Sequence, residues 1–444
     1  MLLVYSSEIS PRLQYVLDFI GKELFEQPIE ITTDKEVFHL SDKCRLNYSK
    51  HLFDVTSFQI IPVELLFEQG IRQQDPVVIE LEKTKAIYQS GGDFSFDIFA
   101  ATFYLLTRYE EYLPHSKDAY GRYAHTNSIA FRENFLDQPV INIWLAQLKQ
   151  GLLLRYPDLQ FRRQQFSCNI TYDIDIAYSY LHKGSVRTVG GFIRDFLAGN
   201  WHQISDRWQV LRGQKHDPYD CFEWLDALHL YCRLKPNYFF LVAKKQVGYD
   251  KNISTDVKAF RDLIEYYASK YEVGIHPSWQ SGDNIRLLTE ELEWLEVIVD
   301  RPVLSSRQHY IRFSMPETFR ALITAGIRYD YSMGYGSING FRASVCTTYK
   351  WYDLEREDAT DLTITPFCFM DANSFYEQKQ TPEQTYLEVV RYYDLVKKLN
   401  GNFIPIWHNH LLGTDPAFKG WREMFELFMK ETVYWDAYTD HPLV

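Results

Sequence analysis

Asp173 and Asp175 flank a single residue, Ile174, where an apolar run gives way to a polar one. Two carboxylates that close can divide labour, one binding a cation and the other accepting a proton. Asp-x-Asp by itself is a common pattern. So are isolated residues such as His276, Arg307, His309 and His408, because most histidines and arginines meet structural needs. Their positions make the argument. Each falls where a stretch with strand character stops, and all lie within one series of alternating strands and helices.

That series begins near Phe166. Residues 166–172 read as a strand ending at Asp173. A helix carrying Phe222, Leu225 and Leu228 leads through Pro236 into a strand over 238–242. A second helix, with Val257, Phe260, Ile264 and Tyr267 on one face, leads into 273–275 and His276. A third, around Leu292 and Leu295, leads into 303–306 and Arg307. Pro316 opens a fourth helix that Gly326 closes. Thr381-Pro382-Glu383 caps the last one, which ends at Asn400-Gly401 and feeds 403–407 and His408. Alternation of this kind predicts parallel βα units, in which loops converge on the C-terminal ends of the strands and bind ligands there. Residues 183–220 interrupt the alternation and read as a partly helical insertion.

The first 160 residues have a different texture. Residues 76–81 read as a strand. Ser95 is placed to cap a helix running to about Leu113, where Pro114 stops it, with Phe99, Thr102, Phe103 and Leu106 as its core-facing stripe. Arg108, Glu110 and Glu111 read as a solvated face with internal ion pairs. No catalytic constellation is visible here, and the region reads as a structural or substrate-shaping domain. The expected division is 1–160, a smaller α+β domain, and 161–444, the α/β domain that carries the chemistry.

Composition narrows the function classes. The 444 residues hold 47 Lys and Arg against 59 Asp and Glu, a net charge of -12, which argues against nucleic acid as a partner. Aromatic residues make up 16% of the chain, and rings with polar handles suit sugar faces as well as cores. The six cysteines have no metal-knuckle or redox spacing and read as free thiols. The N-terminus lacks the basic stretch and apolar length of a signal peptide, and no apolar run is long enough to span a membrane. The expected address is the cytoplasm.

With these residues in view, the chain resembles the polysaccharide deacetylases, the NodB-like carbohydrate esterases. Thr171-Tyr172-Asp173-Ile174-Asp175 echoes their first motif, Thr-Phe-Asp-Asp-Gly, and Glu272-Val273-Gly274-Ile275-His276 closely matches Glu-Ile-Gly-x-His. Arg307-Gln308-His309-Tyr310 echoes the third motif, 325–330 resembles the segment after the family's next helix, and Ile406-Trp407-His408 matches the final Leu-x-His. The likeness covers roughly 166–412 with motif order preserved. It implies a distorted (β/α) barrel holding a divalent, zinc-like metal in an Asp-His-His site. The implied activity is removal of N- or O-linked acetyl groups from a carbohydrate. It assigns Asp173 as base, Asp175 and His276 as metal ligands, His408 as the acid for the leaving group, and Arg307 as the residue that orients the base.

Two departures bear on those roles. Ile174 separates aspartates that are adjacent in the family, so the roles of Asp173 and Asp175 can be exchanged. The family's second metal histidine falls at Gln280, which is not a usual ligand for such a metal. His309, from the neighbouring strand end, is the expected replacement, with His410 a structural or rim residue. The competing reading is a catalytically inactive relative that binds glycan without metal. A glycosidase using Asp173 with another carboxylate is a third, disfavoured because residues one position apart seldom straddle a sugar ring.

Overall fold

Two local patterns build this chain: short runs of β-branched and aromatic residues, and helices whose apolar positions recur every three or four residues. In a computed structural model, which describes residues 1–53 and 56–434, these runs form two larger sheets and two two-stranded ones. Strands β1 (Leu2–Ser6), β2 (Glu30–Thr32), β3 (Cys44–Tyr48) and β4 (Phe58–Ile60) make a parallel sheet in the order β2-β1-β3-β4. A hairpin of β5 (Val78–Glu80) and β6 (Lys85–Ile87) follows.

The second sheet belongs to the later residues. Its strands come from β7 (Ser167–Cys168), β8 (Thr171–Ile174), β9 (Asn237–Phe240), β10 (Glu272–Ile275), β11 (Ser305–Ser306), β12 (Tyr329–Asp330), β13 (Tyr349–Asp353), β14 (Asp358–Ile364), β15 (Asn402–Phe403) and β16 (Ile406–His408). Eight of them pair in the order β13-β14-β12-β11-β10-β9-β8-β16, parallel except where β13 meets β14. The short pair β7 and β15 continues β8 and β16 backwards.

Helices Phe222–Cys232, Lys258–Ala268, Ile285–Val299, Glu317–Thr324 and Pro382–Lys398 connect the strands. Each buries one stripe. Phe260, Ile264 and Tyr267 of helix Lys258–Ala268 are fully buried, and Tyr267 stacks against Tyr238 of β9 with ring centroids 4.1 Å apart. Thr381 and Gln384 form a reciprocal capping box ahead of the last helix, with Pro382 in its first turn.

The sheet is rolled. Met370 pairs in parallel with Ile406 of β16, yet it lies only six residues beyond Ile364, the end of β14. In a flat sheet β14 and β16 would stand about 29 Å apart at about 4.8 Å per strand. Six residues reach at most about 21 Å. Curvature must therefore bring the two ends of the series together, and it turns the C-terminal ends of β8, β10, β11 and β16 toward a common mouth.

Several sequence expectations change. The strand expected over 166–172 is two, β7 and β8, and β8 runs through Asp173 to Ile174. The helix expected from Ser95 to about Leu113 spans Ile98–Leu106. Asp97 caps it by accepting from the Phe99 and Ala100 N–H groups, and Arg108, left-handed at φ 54°, follows its end. All nine of its residues are buried, so it has no solvent face. Arg108, Glu110 and Glu111 are buried as well. Arg108 bonds both glutamates at 2.8 Å, and Glu111 takes a paired contact from Arg342 at 2.8 and 2.5 Å. Arg342 is 231 residues away, which is why local reading placed these charges in solvent. The insertion over 183–220 contains two helices, Gly184–Leu197 and Trp201–Leu211.

Candidate active site

Strand alternation explains the two aspartates. Residues two apart in an extended chain project to the same side, so Asp173 and Asp175 share a side while Ile174 points into the core and is fully buried. His276 is the first residue beyond β10, Arg307 the first beyond β11, and His408 the last of β16, paired in register with Asp173. His309 reaches the same point by a tight turn, because Tyr310 and Ile311 after it are left-handed at φ 59° and 56°. All six expected site residues therefore line one region, most of them around a cleft of about 530 Å³; Arg307 stands behind Asp173. His410 stands at its wall. A larger cavity of about 720 Å³, beside Tyr104, His115 and Arg132, has no comparable convergence of histidines.

Asp175 is the centre. Its Oδ1 lies 3.1 Å from His276 Nε2, and its Oδ2 lies 3.6 Å from the Nε2 atoms of both His309 and His408. The far nitrogen of each ring is fixed by an acceptor. His276 Nδ1 donates to the Arg307 carbonyl at 2.6 Å, His309 Nδ1 to Asp250 Oδ1 at 2.8 Å, and His408 Nδ1 to Asp371 Oδ1 at 2.6 Å. With each Nδ1 held by an acceptor, the Nε2 of each ring faces the carboxylate. Asp175 Oδ1 is buried and has no hydrogen-bond partner. Asp175, His276 and His309 offer ligand atoms that all lie within 4.8 Å of one another.

The charges follow from these contacts. Burial opposes ionisation of Asp175, but the three histidines outweigh it and hold the carboxyl well below the usual range. Burial also opposes charge on His309 and His408. Asp175 and Asp250 nevertheless push His309 up to about 9, and Asp371 and Asp175 push His408 up to about 10. Burial and the neighbouring His408 push His410 down to about 3, so it is neutral. Without a cation, protons supply the positive charge that Asp175 demands.

Asp173 sits apart from this centre. Its Oδ1 accepts from Arg307 Nη1 at 2.7 Å, and its Oδ2 is 3.9 Å from His276 Nε2. Arg307 is fully buried, lies 4.4 Å over the Phe239 ring, and donates through Nε to the Tyr331 carbonyl. Both aspartates face the same imidazole nitrogen, so no sugar ring fits between them, as a glycosidase pair would require.

Gln280 is not among the converging groups. Its Nε2 donates to Asp250 Oδ2 at 3.0 Å, behind His309. Sequence reading missed Asp250 and Asp371, which fix two of the rings, and Tyr120 and Arg122, which bring the first 160 residues into the cleft wall. Tyr120 stacks beside Tyr310 at 5.1 Å, and Tyr310 beside Tyr249 at 5.0 Å. The one available signal for Asp371 was a carboxylate closing the apolar run 367–370, the same strand-end pattern that marked the others.

A model of a family of unknown function, DUF7033, matches residues 2–157. No curated protein matches the chain. Among solved structures, the chain is similar to a protein described as a probable polysaccharide deacetylase from Pseudomonas aeruginosa. The TM-score is 0.39, with 11% identity, covering 63% of this chain and 93% of that one. It is also similar to a polysaccharide deacetylase from Bacillus cereus, with a TM-score of 0.29 and 12% identity, covering 61% of this chain and 88% of that one.

Proposed function

We propose that this protein is a metal-dependent hydrolase that removes N- or O-linked acetyl groups from a carbohydrate. The single observation that carries the reading is the convergence of His276 and His309 Nε2 on the two oxygens of Asp175, whose buried Oδ1 has no hydrogen-bond partner. Two nitrogens and a carboxylate oxygen, with the imidazoles oriented from behind, are a donor set that fits a zinc-like divalent cation. The acetylated-sugar class comes from the motif resemblance and agrees with the tyrosines of the cleft wall.

On this reading Asp175, His276 and His309 hold the cation, which when bound lowers the pKa of water to about 7 and polarises a carbonyl. Asp173 is the base. Arg307 occupies its Oδ1 and so aims Oδ2 at the cleft, where it takes the proton of the attacking water. His408 holds a proton at neutral pH because Asp371 and Asp175 outweigh burial, and it hands that proton from Nε2 to the departing amine or alcohol. On the same reading the strands and helices described from residue 161 onward make up the distorted (β/α) barrel that positions these groups, and the earlier residues shape the cleft through Tyr120 and Arg122. The metal-free, glycan-binding alternative rested on Gln280, and His309 answers Asp175 in its place.

The test is acetate release from N- and O-acetylated oligosaccharides by protein stripped with chelator and then reloaded with zinc, cobalt or manganese. Activity that disappears on stripping and returns on reloading supports the reading. Cation binding at Asp175 without acetate release from any acetylated glycan sinks the deacetylase assignment.

A further inference from the structure

Helices Gly184–Leu197 and Trp201–Leu211 leave the body of the protein between β8 and helix Phe222–Cys232, and they are built inside out. On the first, Val186, Val189, Ile193 and Phe196 recur at steps of three and four residues, so they share one face. That face is open to solvent, each of the four being at least 56% exposed. The inward face carries an ion pair instead. Asp195 is fully buried and accepts from Arg207 Nη2 at 2.6 Å. Gly191 makes room for that guanidinium, since a Cβ there would lie 2.6 Å from it. On the second helix Trp201, Trp208 and Leu211 are likewise exposed. The Phe196 and Trp201 rings meet edge-on at 5.4 Å, so the two stripes form one continuous apolar surface. A contiguous patch of this kind marks a binding face.

Charge says what covers it. Residues 183–215 carry six basic side chains (Lys183, Arg187, Arg194, Arg207, Arg212, Lys215) against Asp195 and Asp206, a net +4 in a chain whose net charge is -12. Arg194, beside Ile193, is 72% exposed, and the Arg212 guanidinium lies 4.2 Å over the Trp208 ring. Apolar and indole side chains rimmed by cations match the boundary between anionic headgroups and acyl chains. A second copy of the chain fits less well, because joining two such faces about a two-fold axis sets +4 against +4. Helices of 14 and 11 residues are too short to span a bilayer, and no described helix is long and apolar enough to cross one.

We propose that this hairpin docks the protein on an anionic membrane surface, with both helices lying in the headgroup plane. Arg187 donates to the carbonyls of Lys251 and Asn252 at 2.9 and 3.0 Å, and Lys251 lines the cleft around Asp175. Docking therefore holds the mouth of the cleft close to the bilayer. The proposal stands apart from the hydrolase reading, since it concerns a different surface and its test reads no turnover.

The test is flotation of the full chain with phosphatidylcholine vesicles, with and without phosphatidylglycerol. The protein is expected to float with the anionic vesicles, weakly with phosphatidylcholine alone, and less as salt screens the cationic rim. Phe196→Glu with Trp201→Glu, two solvent-facing changes, is expected to cut partitioning at least about tenfold with an unchanged circular dichroism spectrum. Absence of flotation by the wild type overturns the proposal, and so does equal flotation by the variant. Dimerisation that the variant abolishes, seen by light scattering without vesicle binding, also overturns it and assigns the face to a second copy.

Discussion

His309→Ala removes the imidazole that meets Asp175 from the turn after β11, and its effect on cation affinity follows from the contacts. An apparent zinc-site free energy of about 10–16 kcal/mol shared over the three protein ligands is about 3–5 kcal/mol each, two to four powers of ten in affinity. Asp250→Asn leaves His309 in place and weakens the acceptor that orients its Nδ1, a change worth about 10–100-fold. Gln280→Ala removes one 3.0 Å hydrogen bond to Asp250, two contacts away from the cation. A hydrogen bond to a carboxylate contributes about 1.5–3 kcal/mol, of which only a small part reaches the site, so the loss stays below about tenfold. Competition for zinc against a chromophoric chelator measures all three, with circular dichroism confirming the folds. The expected order of damage is His309→Ala, then Asp250→Asn, then Gln280→Ala. Unchanged affinity in His309→Ala, or a loss in Gln280→Ala as large as in His309→Ala, refutes the ligand set.

Asp173→Asn is expected to retain zinc within about tenfold while kcat for deacetylation falls by about 10²–10⁴, because an amide cannot take the proton; near-normal turnover would remove Asp173 from the role of base. Asp371→Asn addresses the acid. Asp371 helps push His408 up to about 10, so its neutralisation lowers the pH at which the imidazolium is lost. The alkaline limb of kcat/KM should shift to lower pH, and a profile that stays put or moves up contradicts the assignment. Arg342→Ala leaves the buried Glu111 carboxylate with Arg108 alone and is expected to cost about 3–5 kcal/mol in urea unfolding; a loss under about 1 kcal/mol would mean that water reaches the pair.

The residues at the strand ends could be read from the chain because their signals are local. Alternation at the end of β8 puts Asp173 and Asp175 on one side whatever surrounds them, and the strand-like runs before His276, Arg307 and His408 mark where each strand stops. The helices between were visible for the same reason, through stripes such as Phe260, Ile264 and Tyr267 and the capping box at Thr381. What lay beyond local reading involves partners far apart in sequence. Asp250 follows β9 in an irregular loop and meets His309 from 59 residues away, and Asp371 meets His408 from 37. Nothing near Asp250 distinguishes it from a solvated carboxylate, and the apolar run before Asp371 does not say which histidine it meets.

The same limit explains the charges that were misplaced. Arg108, Glu110 and Glu111 carry the signature of a surface, and burial becomes tolerable only because Arg342 arrives from the other end of the chain to balance them. The hairpin reads from the sequence only as a partly helical insertion, and helical periodicity does not say which way Val186, Ile193, Trp201 and Trp208 face. Packing decided that, by burying Asp195 with Arg207 and turning the rings outward. The sequence alone thus determined which side chains sit at the ends of strands, since strand and helix periodicity is a property of neighbouring residues. Only the tertiary structure decided which of them converge, what orients them and which faces stay open, because burial, charge balance and coordination depend on groups that meet when the sheet rolls up.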